Sequence, residues 1–360
     1  MAWLRPTVLT ALALGLMLAF GAAAGARTIH VALDGQDSAD GSAAHPVAGL
    51  DAAGRLARPG DTVLVHPGIY RGVQVFRRSG RPGARIVIRP ERVGTVAFEG
   101  RGTPWNSDLV TIAGSYVTFT GFALRDATRS GISVWEGQGV TISYNTVTGS
   151  RRNAIWVGAG TTGRSARNLV TGNVVYLNCL ENAARTWDSG WPFAIGIAMS
   201  DGTVVERNVV ERNYCEGIGL LSVSGVQVRR NVVWDNFSVQ IYVDNAPYSV
   251  VRHNVIFSTG NSDFYRFGKP APGVVMANEY ARFPLPSRGI VVQDNTLVGV
   301  GQIHYSDFGR GGGMTETVIT PNDVRSSASW AYLAGRMWAE TRIHLAPGLH
   351  CGPVILCAGQ

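Results

Sequence analysis

The sequence predicts an all-β solenoid, and three observations predict it. Short apolar strands between Val117 and Leu297 return repeatedly to an asparagine, at Asn145, Asn173, Asn208, Asn231, Asn254 and Asn295. Successive asparagines stand 28, 35, 23, 23 and 41 residues apart, so the basic period is 23 with insertions of 5, 12 and 18. Repeats of this length are too short for a helix pair, and their β-branched residues favour strands. The composition agrees: 45 glycines in 360 residues and 16% charged residues suit many turns and few helices.

The chain opens with a segment that reads as a signal peptide. Met1–Ala26 has Arg5 in a short n-region, an uncharged apolar run from Val8 to Phe20, and Ala24-Gly25-Ala26 as a small-residue cleavage site. The expectation is a secreted or periplasmic protein cleaved near Ala26, with no membrane span in the mature chain. Residues 27–308 form the solenoid in this reading, and residues 309–360 a C-terminal capping segment. Ile29-His30-Val31-Ala32-Leu33 alternates like a strand, and Asp34–Asp40 is a polar loop. Leu50–Leu56 carries apolar residues at helical spacing and suits a short helix over the open end of the solenoid. Beyond Gly309–Gly313, Ser326–Glu340 has helical composition, with Trp330, Leu333, Met337 and Trp338 on roughly one face.

The net charge is +7, from 32 basic and 25 acidic residues, and Lys269 is the sole lysine. An export signal and the lack of a clustered basic run favour an anionic polysaccharide over nucleic acid as the partner of this basic chain, taken as a monomer. Four cysteines in an exported chain permit two disulfides. Cys179 and Cys215 follow their repeat asparagines by six and seven residues, which places them on neighbouring coils at nearly the same azimuth. Cys351 and Cys357 are close enough to close a C-terminal loop.

Register aligns the repeats further. Three residues before each asparagine stand Ile142, Val170, Val205, Val228, Val251 and Val292, and two after it Val147, Val175, Val210, Val233, Ile256 and Leu297. Both columns should face inward. Upstream in each coil a second strand begins with Ile132, Ile155, Ile195, Ile218 or Ile241, and period two puts these residues in the core as well. The asparagines should stack as a hydrogen-bonded ladder at a turn.

The order Val31, Gly35-x-Asp37, Gly41-Ser42, Pro46, Leu50, Ala53, Pro59-Gly60-Asp61-Thr62-Val63, Gly68-x-Tyr70 resembles the opening of secreted right-handed parallel β-helix proteins, many of them polysaccharide lyases. The later Asn-x-Val returns resemble the repeats of that superfamily. This likeness implies a single-stranded right-handed parallel β-helix with an N-terminal capping helix and a short C-terminal helical segment. Fold alone does not select an activity, because the superfamily hosts lyases, hydrolases, epimerases and proteins without catalysis. The catalytic motifs of its pectate lyases, alginate lyases and mannuronan epimerases find no match here.

Function should lie on the outward face of the second strand. Trp135 and Trp156 stand at one end of it, small residues such as Gly196 and Gly219 in the middle, and Gln240, Tyr242 and Asp244 at the other. Small residues let a flat partner approach the backbone, and aromatics offer apolar faces with a polar edge. The long insertions fall within Asn178–Phe193, with Glu181, Arg185, Trp187, Asp188 and Trp191, and Ser258–Pro272, with Asp263, Tyr265, Arg266 and Lys269. Both precede the same strand of their coil, so both should rise from one edge as two walls of a cleft floored by Glu216, Gly219, Gln240, Tyr242 and Asp244.

Such a cleft fits β-elimination on a uronate-containing glycan. The reaction needs a cation for the carboxylate, a base for the C5 proton and an acid for the leaving oxygen. The expected catalytic residues are Tyr242, Lys269, Arg185, Glu216 and Asp244, with Trp135, Trp156, Trp187, Asp188, Trp191, Gln240 and Arg266 binding substrate. Glu216, Asp188 and Asp244 offer oxygen ligands of the kind Ca²⁺ takes. The alternatives are a glycan-binding or cell-envelope structural protein without catalysis, and a glycoside hydrolase or epimerase, for which Glu216 and Asp244 would supply paired carboxyls.

Overall fold

A computed structural model of the chain describes residues 25–161, 163–187, 191–279, 286–301, 304–306 and 314–343. The segment before residue 25, expected to be a signal peptide, lies outside these residues, as do Asp188, Cys351 and Cys357.

Successive coils contribute short strands to three parallel sheets, which run along the molecule as the faces of a right-handed β-helix. Among the described residues the sheets contain ten, ten and nine strands. The first sheet runs from Thr28–Val31 to Val291–Gln293 and contains Thr141–Ser143, Val204–Glu206 and Val250–Arg252. The second runs from Gly68–Arg71 to Asp323–Arg325 and contains Val174–Tyr176, Val232–Trp234 and Val255–Phe257. The third sheet carries the face of interest. Its strands include Ile132–Trp135, Ile155–Gly158, Phe193–Ala198, Glu216–Leu221, Ile241–Asp244 and Val274–Ala277.

The predicted register is the observed one. Ile132, Ile155, Ile195, Ile218, Ile241 and Val274 pair in sequence along the third sheet and are all fully buried. The columns three before and two after the asparagines are buried as well, which makes one continuous core along the axis. Such stacking gives each coil the apolar partner that it lacks by itself.

The asparagines form the expected ladder between the first and second sheets. In each rung, Oδ1 accepts from the backbone N–H and Nδ2 of the preceding asparagine. Asn208 N and Nδ2 both donate to Asn231 Oδ1 at 3.0 Å, and Asn231 repeats this on Asn254. The ladder extends one rung past the repeats, to Asn322. The residue ahead of each asparagine has positive φ: Tyr144, Gly172, Arg207, Arg230, His253 and Asp294. For five of the six this is the left-handed region that a side chain disfavours, and the ladder holds the turn in it.

A second ladder, absent from the sequence expectations, stitches the corner between the second and third sheets. Asn178 donates to Asn213 and Asn213 to Asn236, again from N and Nδ2. Cys179 and Cys215 form the anticipated disulfide beside it, with Cα atoms 5.8 Å apart.

The N-terminal helix Leu50–Leu56 packs against Thr28–Val31 and Gln74–Phe76 at the open end of the coil. The C-terminal helix Trp330–Thr341 lies along the outside of the second sheet. Leu333 and Met337 bury there against Val232, Trp234, Val255, Phe257 and Val298. Trp338, expected on that buried face, is 46% exposed. Among the described residues no helix is long and apolar enough to cross a membrane.

Candidate active site

The outer face of the third sheet departs from simple alternation at its leading corner. Phe193, Glu216 and Val239 form one register column that points outward, and the next column turns inward. There, a Cβ on Gly217 would meet Asn236 Nδ2 at 2.8 Å and Val233 Cγ1 at 3.1 Å. Gln240 belongs to the inward column. Its Oε1 accepts from Asn236 N and Nδ2, and its Nε2 donates to Asn236 O, so it closes the second ladder. The expectation that Gln240 binds substrate is corrected, since this hydrogen bonding occupies its buried amide.

Outward again come Gly196, Gly219 and Tyr242, successive partners across three strands. The glycines do not leave bare backbone for a ligand. A Cβ added at Gly219 would lie 1.9 Å from Phe193 Cδ1, and one at Gly196 would lie 2.9 Å from Phe193 Cδ2. Trp156 covers Gly158 in the same way. The floor is therefore aromatic: glycine is required because the chain's own rings lie on it.

Three carboxyl groups and one phenol gather at the far end of this floor. Tyr242 Oη donates to Glu279 Oε1 at 2.5 Å, and Glu279 N donates to Asp244 Oδ1 at 2.8 Å. Glu216 is buried beside them, and its Oε2 has no hydrogen-bond partner among the described residues. Burial raises the Glu216 carboxyl well above the usual carboxylate range, and the charges of Glu279 and Asp244 add to this against the opposing pull of Arg266. Burial also raises Asp244 to about 7, reinforced by Glu279, while the N–H groups of Glu279 and Asn245 pull it down. Tyr242 is held as the phenol by burial first, then by its hydrogen bond to Glu279 and the surrounding negative charge. The cluster can thus present a neutral acid, a carboxyl that titrates near neutrality and a protonated phenol side by side, a combination suited to proton transfer.

Glu279 and Phe193 escaped the sequence reading. Asp244 pairs with Ala277, so Glu279 is the next position of the same parity beyond the strand end. Extending the register by two residues finds it. Phe193 was counted as the last residue of a loop, whereas it begins the strand.

The two insertions do not stand as separate walls. Arg185 Nη1 donates to Asp263 O at 2.9 Å and lies 3.5 Å from Asp263 Oδ1, so the first loop is clamped to the second. Tyr214 packs on Phe264 with ring centroids 5.3 Å apart, and Arg266 stacks on Trp191 at 4.9 Å while donating to Ser238 Oγ at 3.2 Å. Trp191 in turn contacts Trp187 and Phe237. One continuous wall results, with Trp191 and Arg266 at its centre. Arg185, expected in the catalytic group, serves in this arrangement as a clamp between the two loops. Lys269 is exposed on a short hairpin, where Tyr265–Arg266 pairs with Lys269–Pro270 across Phe267 and Gly268, both at positive φ. Trp135 and Trp156 stack on each other at 5.3 Å on strands that precede the cluster along the axis.

No three carboxylate, histidine or cysteine groups among the described residues come together at metal-holding geometry. Asp188, the third ligand expected for Ca²⁺ beside Glu216 and Asp244, lies outside the described residues.

The family described as Pel9A-like, right handed beta helix region matches residues 29–246. No curated protein matches the chain in sequence. Among solved structures, pectate lyase Pel9A is similar with a TM-score of 0.57 and 18% identity, over 85% of this chain and 82% of that one. An alginate lyase from Paenibacillus sp. str. FPU-7 gives 0.57 and 14%, over 84% and 98%. A glycoside hydrolase gives 0.61 and 10%, over 87% and 98%. At these identities the structural likeness establishes the fold.

Proposed function

The chain belongs to the Pel9A-like right-handed β-helix family, and on that premise we propose that it acts on a polysaccharide and cleaves a uronate-containing glycan by β-elimination. The observation that carries this reading is Glu216, a buried carboxyl whose acidity burial suppresses and whose Oε2 has no hydrogen-bond partner among the described residues. Elimination moves charge onto the substrate carboxylate as the C5 proton leaves. A neutral carboxylic acid in an apolar setting donates a hydrogen bond to such a group without adding negative charge. Arg266 supplies the nearby cation.

The remaining roles follow from acidity. Asp244, titrating near neutrality, takes the C5 proton. The electrons of that bond form the C4–C5 double bond, and the C4–O bond breaks. Tyr242, oriented by Glu279, gives its proton to the leaving oxygen and is reprotonated through solvent when Asp244 releases its own. Trp191 and the Phe193 ring supply the apolar surface against which a sugar ring rests.

Hydrolysis is the second reading, favoured by a different observation: Glu216 and Glu279 occupy one cluster, a neutral acid next to a carboxylate that accepts a hydrogen bond. One experiment separates the readings. Purified protein is incubated with polygalacturonate, alginate and a neutral β-glucan, and both unsaturated-end absorbance and total reducing ends are followed. Elimination gives the two signals in equal amounts, and hydrolysis gives reducing ends alone. Binding with neither signal on any polymer would refute both and leave a glycan-binding protein.

A further inference from the structure

A depression lies on the same face, towards the N-terminal end. It encloses about 230 Å³ and is lined by Asp108, Arg129, Ser133, Trp135, Arg152 and Trp156, among others. The charges around it are unequal in their engagement. Arg129 is fully met by Asp108: Nε donates to Oδ1 at 2.7 Å and Nη2 to Oδ2. Glu181 is shared by two arginines, Arg151 at 2.5 Å and Arg152 at 2.9 Å, so that trio carries one net positive charge. Arg151 is held further by Asn106 Oδ1, Thr128 O and the Trp105 ring. Arg152 engages Glu181 through Nε and is 44% exposed, and its terminal nitrogens make no hydrogen bond among the described residues. The surplus charge of the pocket thus resides on Arg152.

Trp135 and Trp156 supply the other half of the pocket. Their rings stack with an interplanar angle of 23°, and Trp135 keeps 44% of its surface open. An indole platform beside a guanidinium suits a sugar ring bearing a carboxylate. Register links this pocket to the acid cluster. Trp156 pairs with Gly196, Gly196 with Gly219, and Gly219 with Tyr242. Three steps at ordinary strand spacing come to roughly 14 Å. The Phe193 ring fills the two rungs between, tied to the pocket by Asn153 Nδ2 donating to Phe193 O at 2.7 Å. Trp156, Phe193 and Tyr242 therefore form an aromatic track parallel to the helix axis.

We propose that the Trp135–Trp156–Arg152 pocket is a remote subsite that holds a uronic-acid residue of a glycan laid along this track, with the scissile bond at the Tyr242 cluster. This subsite rests on the reading of an acidic glycan as substrate. Direct titration calorimetry tests it with hexagalacturonate, hexamannuronate and a neutral glucose hexamer. The variants are Trp135→Ala and Arg152→Gln, with Trp135→Phe to show that a ring in this place preserves binding. Each of the first two weakens binding of at least one uronate hexamer about tenfold, the loss of one charge-assisted contact or one stacked face. Arg152→Gln leaves the neutral hexamer unaffected, and Trp135→Phe stays within about threefold of wild type. Uronate affinity unchanged in both Trp135→Ala and Arg152→Gln overturns the subsite, even if the wild type cleaves the polymer. Conversely, wild type that binds a uronate hexamer without cleaving it, and loses that binding in the variants, upholds the subsite and refutes the proposed reaction. Failure of the wild type to bind either uronate hexamer overturns the subsite along with the acidic-substrate reading.

Discussion

Replacing Asp244 with Asn should give the protein a stability lead over wild type that grows as the pH rises, while abolishing the proposed elimination. The Asp244 carboxyl sits in the fold with its acidity moved from 3.8 to about 7. A group that holds its proton more tightly when folded favours folding where it is protonated. Its unfavourable effect is absent below about pH 4, grows as pH rises to about 7, and is constant above that. At about 1.4 kcal/mol per pH unit, the span of roughly three units corresponds to about 4 kcal/mol. Asn carries no charge at any of these pH values, and its Oδ1 still accepts from Glu279 N, the hydrogen bond now made at 2.8 Å. Guanidinium unfolding followed by tryptophan fluorescence should thus give nearly equal stabilities for Asp244→Asn and wild type at about pH 4. By about pH 8 the variant should lead by several kcal/mol, up to about 4. A difference that stays constant across this range, or a wild type more stable at about pH 8, would refute the placement of Asp244 as a buried, strained acid. In the same protein, turnover should rise through about pH 7 as Asp244 ionises and becomes a base.

Three further outcomes follow from the geometry. Tyr242→Phe removes the proton that the proposed elimination returns to the leaving oxygen, and kcat should fall by about 10²-fold or more with the fold retained by circular dichroism. Gly219→Ala drives a methyl group into Phe193 and should cost about 1–3 kcal/mol; in a Phe193→Ala background the same change should cost much less, as a double-mutant cycle by chemical denaturation would record. Asn231→Ala strips the acceptor from Asn208 N in a fully buried rung and should destabilise by about 2–4 kcal/mol, more than Asn322→Ala at the half-buried end of the ladder, as thermal melts of the two variants would rank.

The scaffold was legible because it repeats. A coil that must bury Ile218 under Ile195 and over Ile241 writes its register into the sequence at a spacing the eye can follow. The Asn ladder was legible for the same reason. The second ladder was written just as plainly, five residues after the first at Asn178, Asn213 and Asn236, and passed unread because loops of unequal length follow it. The site was legible in part. Tyr242, Asp244 and Glu216 lie together as their coil positions imply, since rung neighbours are set by the period. Gln240 and Glu279 show where this logic needs the corner: alternation fails at the strand start, turning Gln240 inward, and persists past the strand end, carrying Glu279 outward. The direction in which a loop folds has no period. Nothing in the spacing reveals that Arg185 reaches Asp263, 78 residues further along the chain.

The two ladders end at different places. The first continues to Asn322, whereas the second stops at Gln240, one coil before the insertion of Ser258–Pro272. From Asn178 to Asn236 the coils are sewn by asparagines at two seams, and beyond them the second seam is held by Asp235, which accepts from Ser258 Oγ, Thr259 N and Thr259 Oγ1. Those bonds are part-buried where the asparagine rungs are buried, so the strand that ends beside Glu279 should loosen before the coils between Asn178 and Asn236 part. The proton transfer proposed for this end would then be lost while most of the cylinder still stands, which makes it the thermal fuse of an otherwise durable rod.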